Sequence, residues 1–348
     1  MRAEGAIRSA IAWLTPVLLL ILLLTATTAV VGILPSGMQR VATDGLIKLL
    51  VVVGSYIFIG NSGVLSFGHI SFMGLGAYVA AWLAIAPETK QFMLPGLPAF
   101  LMQSHYSPAL AALAAGGSAS VFALIIGLPL VRLNGISASI GSFAVLAVVN
   151  AVLSNWTSVT GGQGSLYGLP TYANIWTTLP WVLAAVAVAW IYQQSRFGLR
   201  LRGAREDEVA ASANGVNVWR ERLIAFVISA FFVGVAGALY GYFLGVIVAR
   251  TFYLQMTFIT ITMLVVGGLN SLTGAVAGVL IITSLGELLR HAERGVDLGP
   301  IIIGAHPGLQ ELGLAALMLV ILIFRPRGLT GGREIGLWPR SLRRRHLT

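Results

Sequence analysis

Long stretches of this chain contain no Asp, Glu, Lys or Arg: residues 9–39, 49–87, 91–131, 133–195, 223–249 and 251–286. One helical crossing of a bilayer takes only ~20 predominantly apolar residues, so several of these runs hold two crossings each. Hydrophobic residues make up 57% of the chain against 10% charged, and the mean hydropathy is +0.87. So little polar surface cannot clothe a soluble protein of 348 residues, and the composition places the chain among all-α polytopic membrane proteins. There is no cysteine, which excludes a disulfide framework, a thiol redox pair and a thiolate metal site.

Apolar length read against Gly, Pro and charge breaks predicts about ten transmembrane helices, over residues 10–34, 45–60, 65–86, 108–131, 135–154, 179–194, 223–249, 253–267, 272–289 and 307–324. Basic residues precede the first, as in a signal peptide, but the apolar part at 11–34 exceeds a cleavable core of ~7–15 residues and is read as a retained helix. An even number of crossings puts both termini on one side. Sixteen of the 22 Lys and Arg then share that side, and the excess of positive charge marks it as cytoplasmic. The net charge of +10 therefore reflects loops and tail, not a nucleic-acid surface. On the other side lie 87–107 and the Gly-, Thr-, Ser- and aromatic-rich 155–178, suited to docking a soluble partner or forming a mouth over a pore, or serving only as linkers.

Inside the second charge-free run stands "GNSGVLSFGHISFMGLGAY", residues 60–78. Glycine lowers helix propensity but lets backbones approach closely, and lets a helix break where protein encloses the chain. Gly60, Gly63 and Gly68 are spaced too densely for a straight helix, so a break or re-entrant turn is expected there. Asn61, Ser62, Ser66, His69 and Ser71 are either partners for the freed backbone groups or groups facing the route of a polar solute. A second stretch, "VVGGLNSLTGAVAGVLI" at 265–281, repeats the theme with Gly267, Gly268, Asn270, Ser271 and Gly274. The echo hints at an internal duplication of five spans plus five, inverted.

Residues 195–223, "SRFGLRLRGAREDEVAASANGVNVWRERL", form the strongly charged internal segment. A short helix is expected over 205–214, with Glu206, Asp207 and Glu208 at its positive end and Gly215 as its stop, and a second short turn over 218–223. Its small Ala210, Ala211 and Ala213 would seat in a groove of another protein, or the segment is a solvated loop.

Taken together and in order, these segments resemble the LivM-like permease subunits of ABC importers for branched-chain amino acids, within a superfamily that includes ribose importer permeases. The resemblance runs over about 46–329 and is carried by the glycine stretch at 60–78, "SNWTSVTGGQGSLYGLP" at 154–170, the charged loop, the second glycine stretch, and "LIFRPRGL" at 322–329. It implies one transmembrane permease domain at 1–329 and a basic cytoplasmic tail at 330–348, in the cytoplasmic (inner) membrane of a bacterium or archaeon. It makes the charged loop the element that docks an ATPase, through Glu206, Asp207, Glu208, Ala210, Ala211 and Gly215 with Arg202 and Arg205 at the rim. It also implies a second related permease, as a heterodimer or a homodimer, two ATP-binding subunits and a periplasmic or extracellular solute-binding protein. ATP and Mg would be bound by those partners, because this chain carries no G-x-x-x-x-G-K-[ST] loop. Asn61, Ser62, Ser66, His69, Asn150, Asn270 and Ser271 are the candidate lining of the solute path. The helix at 136–155 has no carboxylate, unlike many relatives, so an acidic contact there is not expected.

The solute expected is a branched-chain or other amino acid; urea, short amides and aromatic acids are the alternatives on the same frame. Two other classes compete. An ion-coupled carrier would want an ionisable group deep in a span, where His69 is the candidate. A G-x-S-G intramembrane protease would pair Ser62 with His306, predicted a membrane apart.

Overall fold

Each apolar run folds as helix. A computed structural model describes residues 2–293, 296–297, 302–303, 308–325 and 327–334. The helices are α1 Arg2–Val31, α2 Ser36–Ser62, α3 His69–Ala84, α4 Pro87–Met93, α5 Ala99–Met102, α6 Pro108–Leu130, α7 Gly135–Asn155, α8 Thr157–Thr160, α9 Ile175–Gln194, α10 Arg196–Glu206, α11 Glu208–Ala213, α12 Val218–Leu244, α13 Leu254–Gly267, α14 Leu272–Glu293 and α15 Leu309–Phe324. Seven of them (α1, α2, α6, α7, α9, α12, α14) are long and apolar enough to cross a membrane, and α3, α13 and α15 supply three shorter apolar helices at the remaining predicted positions. His306 and residues 335–348 of the tail lie outside the described residues.

Helices α2 and α12 bury residues on every side along most of their length, the mark of a helix that other helices surround. They pack on each other, with α3 and α6 completing a central group around α12, α9 and the α13–α14 hairpin flanking α2, α7 against α3, α1 against α9, and α15 against α13 and α14. Outer helices expose Val121, Ile125, Ile140 and Val148, as lipid-facing surfaces require. Glycine sets the closest contacts. A Cβ on Gly237 of α12 would strike the Met73 carbonyl of α3, and one on Gly278 of α14 would strike the Met263 carbonyl of α13.

Several helices begin earlier than apolarity alone suggests. Helix α2 starts at Ser36, directly after Pro35; Gln39 Nε2 donates to the Gly32 and Leu34 carbonyls of the turn that follows α1, both at 3.0 Å, and Asp44 pairs with Lys48 one turn on. Helix α9 starts at Ile175 behind a capping box in which Asn174 accepts from the Trp176 and Thr177 amides. The expected turn at 218–223 is the opening of α12, capped by Asn217.

The end of the bundle reached by the C-terminus of α3 carries α4, α5, α8 and a two-residue strand pair, β1 Leu166–Tyr167 with β2 Val246–Ile247. A second such pair joins β3 Val296–Asp297 to β4 Ile302–Ile303. At the end of the bundle reached by α3 the two loops predicted as external are tied together by the Gly96 amide, which donates to the Ser158 carbonyl at 2.9 Å, and Trp82 Nε1 near the end of α3 donates to the Val159 carbonyl at 3.0 Å. Lys90 is fully buried, its ammonium donating to the Trp82 and Leu101 carbonyls at 2.8 Å each and to the Ser104 carbonyl. Burial pulls its pKa below the ordinary lysine value, against three acceptors that favour the charged form.

Candidate functional site

The opposite end gathers the C-terminus of α2, helices α10 and α11, the α13–α14 turn and residues 327–334. The charged loop is two helices, not the single one expected over 205–214. Asp207 leaves the helical region (φ −152°) and its carboxylate accepts from the Ala210 amide at 2.9 Å, ending α10 and capping α11. Glu206 therefore stands at the end of α10, with its side chain 74% exposed, while Glu208 opens α11. Gly215 (φ +78°) turns the chain back towards α12.

Helix α11 shows Val209, Ala210 and Ala213 to solvent and half-buries Ala211. Glu208 faces the body instead and meets Arg222 of α12 at 3.0 Å; Arg222, almost fully buried, also donates to the Asn134 side chain just before α7. Arg200 pairs with buried Glu221 at 3.5 Å. Arg202 turns back to the Gln193 carbonyl at the end of α9. Arg205 reaches inward: its guanidinium donates to the Gly60 carbonyl of α2 at 2.9 Å, to Asn270 Oδ1 at 2.8 Å and to Glu206 at 2.8 Å.

The two glycine-rich stretches thus meet at one end of the bundle. Gly60 lies within α2, Gly63 (φ +71°) ends it, and Gly68 precedes α3. Gly267 closes α13, Gly268 follows with φ +123°, and Gly274 lies in the first turn of α14 with the Thr330 hydroxyl and the Gly267 carbonyl against it. Between the stretches opens a cavity of about 290 Å³ lined by Ile59, Gly63, Leu65, Arg205, Glu206, Leu269 and Asn270.

Of the polar candidates, Asn270 is exposed at this cavity and Asn150 is half-buried elsewhere, donating to the Ala249 carbonyl at 3.1 Å. Asn61, Ser62, Ser66, His69 and Ser271 are buried. Asn61 donates to the Ile57 carbonyl, and Ser62 Oγ accepts from the Val64 amide. His69 Nδ1 and Ser66 Oγ stand 2.9 Å apart, with the imidazole inside a ring of Phe58, Phe72 and Phe226.

Glu334 went unsingled in the sequence, although it is the sole acid among the bases after 325. The chain beyond α15 folds back so that the Leu329 amide donates to the Val266 carbonyl and the Thr330 hydroxyl to the Gly267 carbonyl. This brings the Glu334 carboxylate onto the start of α14, where it accepts from the Leu272 amide (2.8 Å), the Thr273 amide (2.9 Å), the Thr273 hydroxyl (2.6 Å) and the Ser271 hydroxyl (3.2 Å). It also accepts from Gln193 Nε2 at 3.1 Å, and Gln193 Oε1 accepts from the Tyr56 hydroxyl at 3.0 Å. A carboxylate on the amides that open a long helix is where dipole and orphan donors both favour it.

The family described as "Branched-chain amino acid transport system / permease component" matches residues 37–322. The chain is 24% identical to the high-affinity branched-chain amino acid transport system permease protein LivM of Escherichia coli K12, over 90% of this chain and 74% of that protein. It is 27% identical to the corresponding LivH of Salmonella typhimurium and 25% identical to BraD of Pseudomonas aeruginosa, in both cases over 84% of this chain and 94% of the relative. No solved structure matches the chain.

Proposed function

The chain belongs to the family of branched-chain amino acid transport permease components, and from that premise we propose that it is a membrane subunit of an ATP-driven importer that brings a small amino acid into the cytoplasm. The observation that carries the reading is α11, a short helix whose apolar Val209 is 81% exposed beside Ala210 and Ala213 while Glu208 anchors it to the body. A β-branched apolar side chain held out on a charged loop suits a groove in a soluble subunit better than open water. The end bearing α11 is the cytoplasmic one, as the excess of basic residues there favours.

A loaded binding protein docks at the opposite end, against the interlocked segments 87–107 and 155–178. Closure of two ATP-binding subunits pulls on α11, and the space between this chain and a second permease subunit changes the side to which it opens. ATP and Mg belong to the partners; this chain holds neither and makes or breaks no bond in the solute. A path lined by neutral polar groups, without charge, attracts a zwitterion weakly enough to let it go. Branched-chain amino acids are favoured over urea, amides or aromatic acids because the relatives are named for them.

The test is co-expression with a related permease, two ATP-binding subunits and a solute-binding protein from the same genome, followed by reconstitution in liposomes. ATP-dependent uptake of radiolabelled leucine, isoleucine or valine in the presence of the binding protein is the expected result. Uptake that proceeds on a proton or sodium gradient without ATP would sink the reading.

A further inference from the structure

We infer that Arg205 is a positioning residue, an internal strut that transmits movement of the ATPase-facing loop to both glycine-rich turns, and not a contact with the ATPase. The inference rests on the importer reading above and assigns Arg205 a task the docking picture does not.

Three observations carry it. The side chain is only 22% exposed although it sits in the most charged loop of the protein, and two of its three acceptors belong to the helix bundle and not to the loop. Its guanidinium joins two elements far apart in sequence, the Gly60 carbonyl near the end of α2 and the Asn270 side chain in the α13–α14 turn, with planar donors that fix direction as well as distance. The third observation is Gly63. A Cβ there would stand 2.6 Å from Arg205 Cδ, so the glycine at the end of α2 is also what admits the arginine stem.

Glu208 and Arg222 provide the complementary fastening, from α11 to α12 and Asn134. The loop is therefore gripped on two sides. The Glu208 side leads into the central helix group; the Arg205 side leads to the turns that border the 290 Å³ cavity. A shift of α10 and α11 along the membrane normal must drag the Arg205 fork, and with it the end of α2 and the α13–α14 turn.

The strut is separable from docking by experiment. Arg205→Ala, Asn270→Ala and the double variant are made in the assembled complex, and three quantities are read: ATPase subunits retained on purification, ATP hydrolysed, and solute delivered per ATP. A strut predicts that Arg205→Ala, which removes both bonds to the turns, keeps its ATPase subunits yet delivers at least about tenfold less solute per ATP, the scale of a single lost charged hydrogen bond. Asn270→Ala, which removes one end of the strut without touching the loop, shows the same kind of loss, and the double variant is no worse than Arg205→Ala alone. Arg205→Lys recovers only part of the ratio, because a shorter side chain ending in an ammonium lacks the second arm, Nε and Nη2, that Glu206 holds in place while Nη1 reaches both turns.

Release of the ATPase subunits by Arg205→Ala alone would make Arg205 a docking contact and overturn the strut. So would an unchanged ratio in either single variant, or losses that simply add in the double. If Arg205→Ala does not yield a monodisperse complex, Asn270→Ala, at an exposed turn residue, decides the question: a ratio still depressed at saturating solute supports the strut, and a ratio restored by saturating solute makes Asn270 a solute contact and overturns it. Absence of ATPase subunits from the wild-type complex is a different failure, which overturns the importer reading itself.

Discussion

At the scale of the residue, several buried polar groups are tied to backbone at or near the ends of helices. Lys90 gathers three carbonyls, Ser62 holds the Val64 amide, and Glu334 holds two amides at the opening of α14. Glu334 does most, because five donors converge on two oxygens. Replacing one oxygen by an amide nitrogen sets donor against donor, so Glu334→Gln is expected to cost about 1–3 kcal/mol. The check is thermal unfolding in detergent beside Glu334→Asp, and a melting point unmoved by Gln would show that the cap does not hold the turn. None of this was legible locally: the five donor groups belong to four residues that lie from 61 to 141 positions away.

At the scale of the element, glycine serves two purposes that sequence reading tends to merge. Gly63 and Gly268 take positive φ and end helices, as the density of glycines led one to expect. Gly278 instead lies inside α14 so that the backbone of α13 can touch it. A methyl at Gly278 would press on the Met263 carbonyl and come within 2.8 Å of the Gly267 amide, both backbone atoms that cannot swing aside. Gly278→Ala should destabilise by about 2 kcal/mol or more through overpacking, whereas Gly117→Ala in α6, with nothing within 4 Å, should gain up to about 1 kcal/mol from helix propensity. Melting points of the two variants test the contrast; a similar response from both would refute the close-contact account. The charged loop teaches a related lesson. Its charges and its glycine stop were readable, but the break at Asp207 was not, since an Asp can enrich a first helical turn or cap one, and only φ decides.

At the scale of the whole molecule, the sidedness argument has a direct check. The chain has no cysteine, so Val209→Cys introduces a single thiol at an 81% exposed position. A membrane-impermeant maleimide should label it only in inside-out vesicles or opened cells; labelling from outside intact cells would reverse the orientation and remove α11 from any cytoplasmic ATPase. By itself the sequence determined the class, the ten apolar helices and the order of their connections, because crossing a bilayer is a demand on continuous stretches of chain that composition and charge display directly. The resemblance carried by its motifs added the family. Only the tertiary structure decided that the two Asn-Ser glycine stretches, some two hundred residues apart, share one end of the bundle, that Arg205 spans them, that Glu208 faces inward while Val209 faces out, and that the chain after α15 returns to cap α14. Those facts depend on which hydrogen-bonding groups are left over when helices pack, and a one-dimensional pattern records where helices end but not which leftover groups will meet.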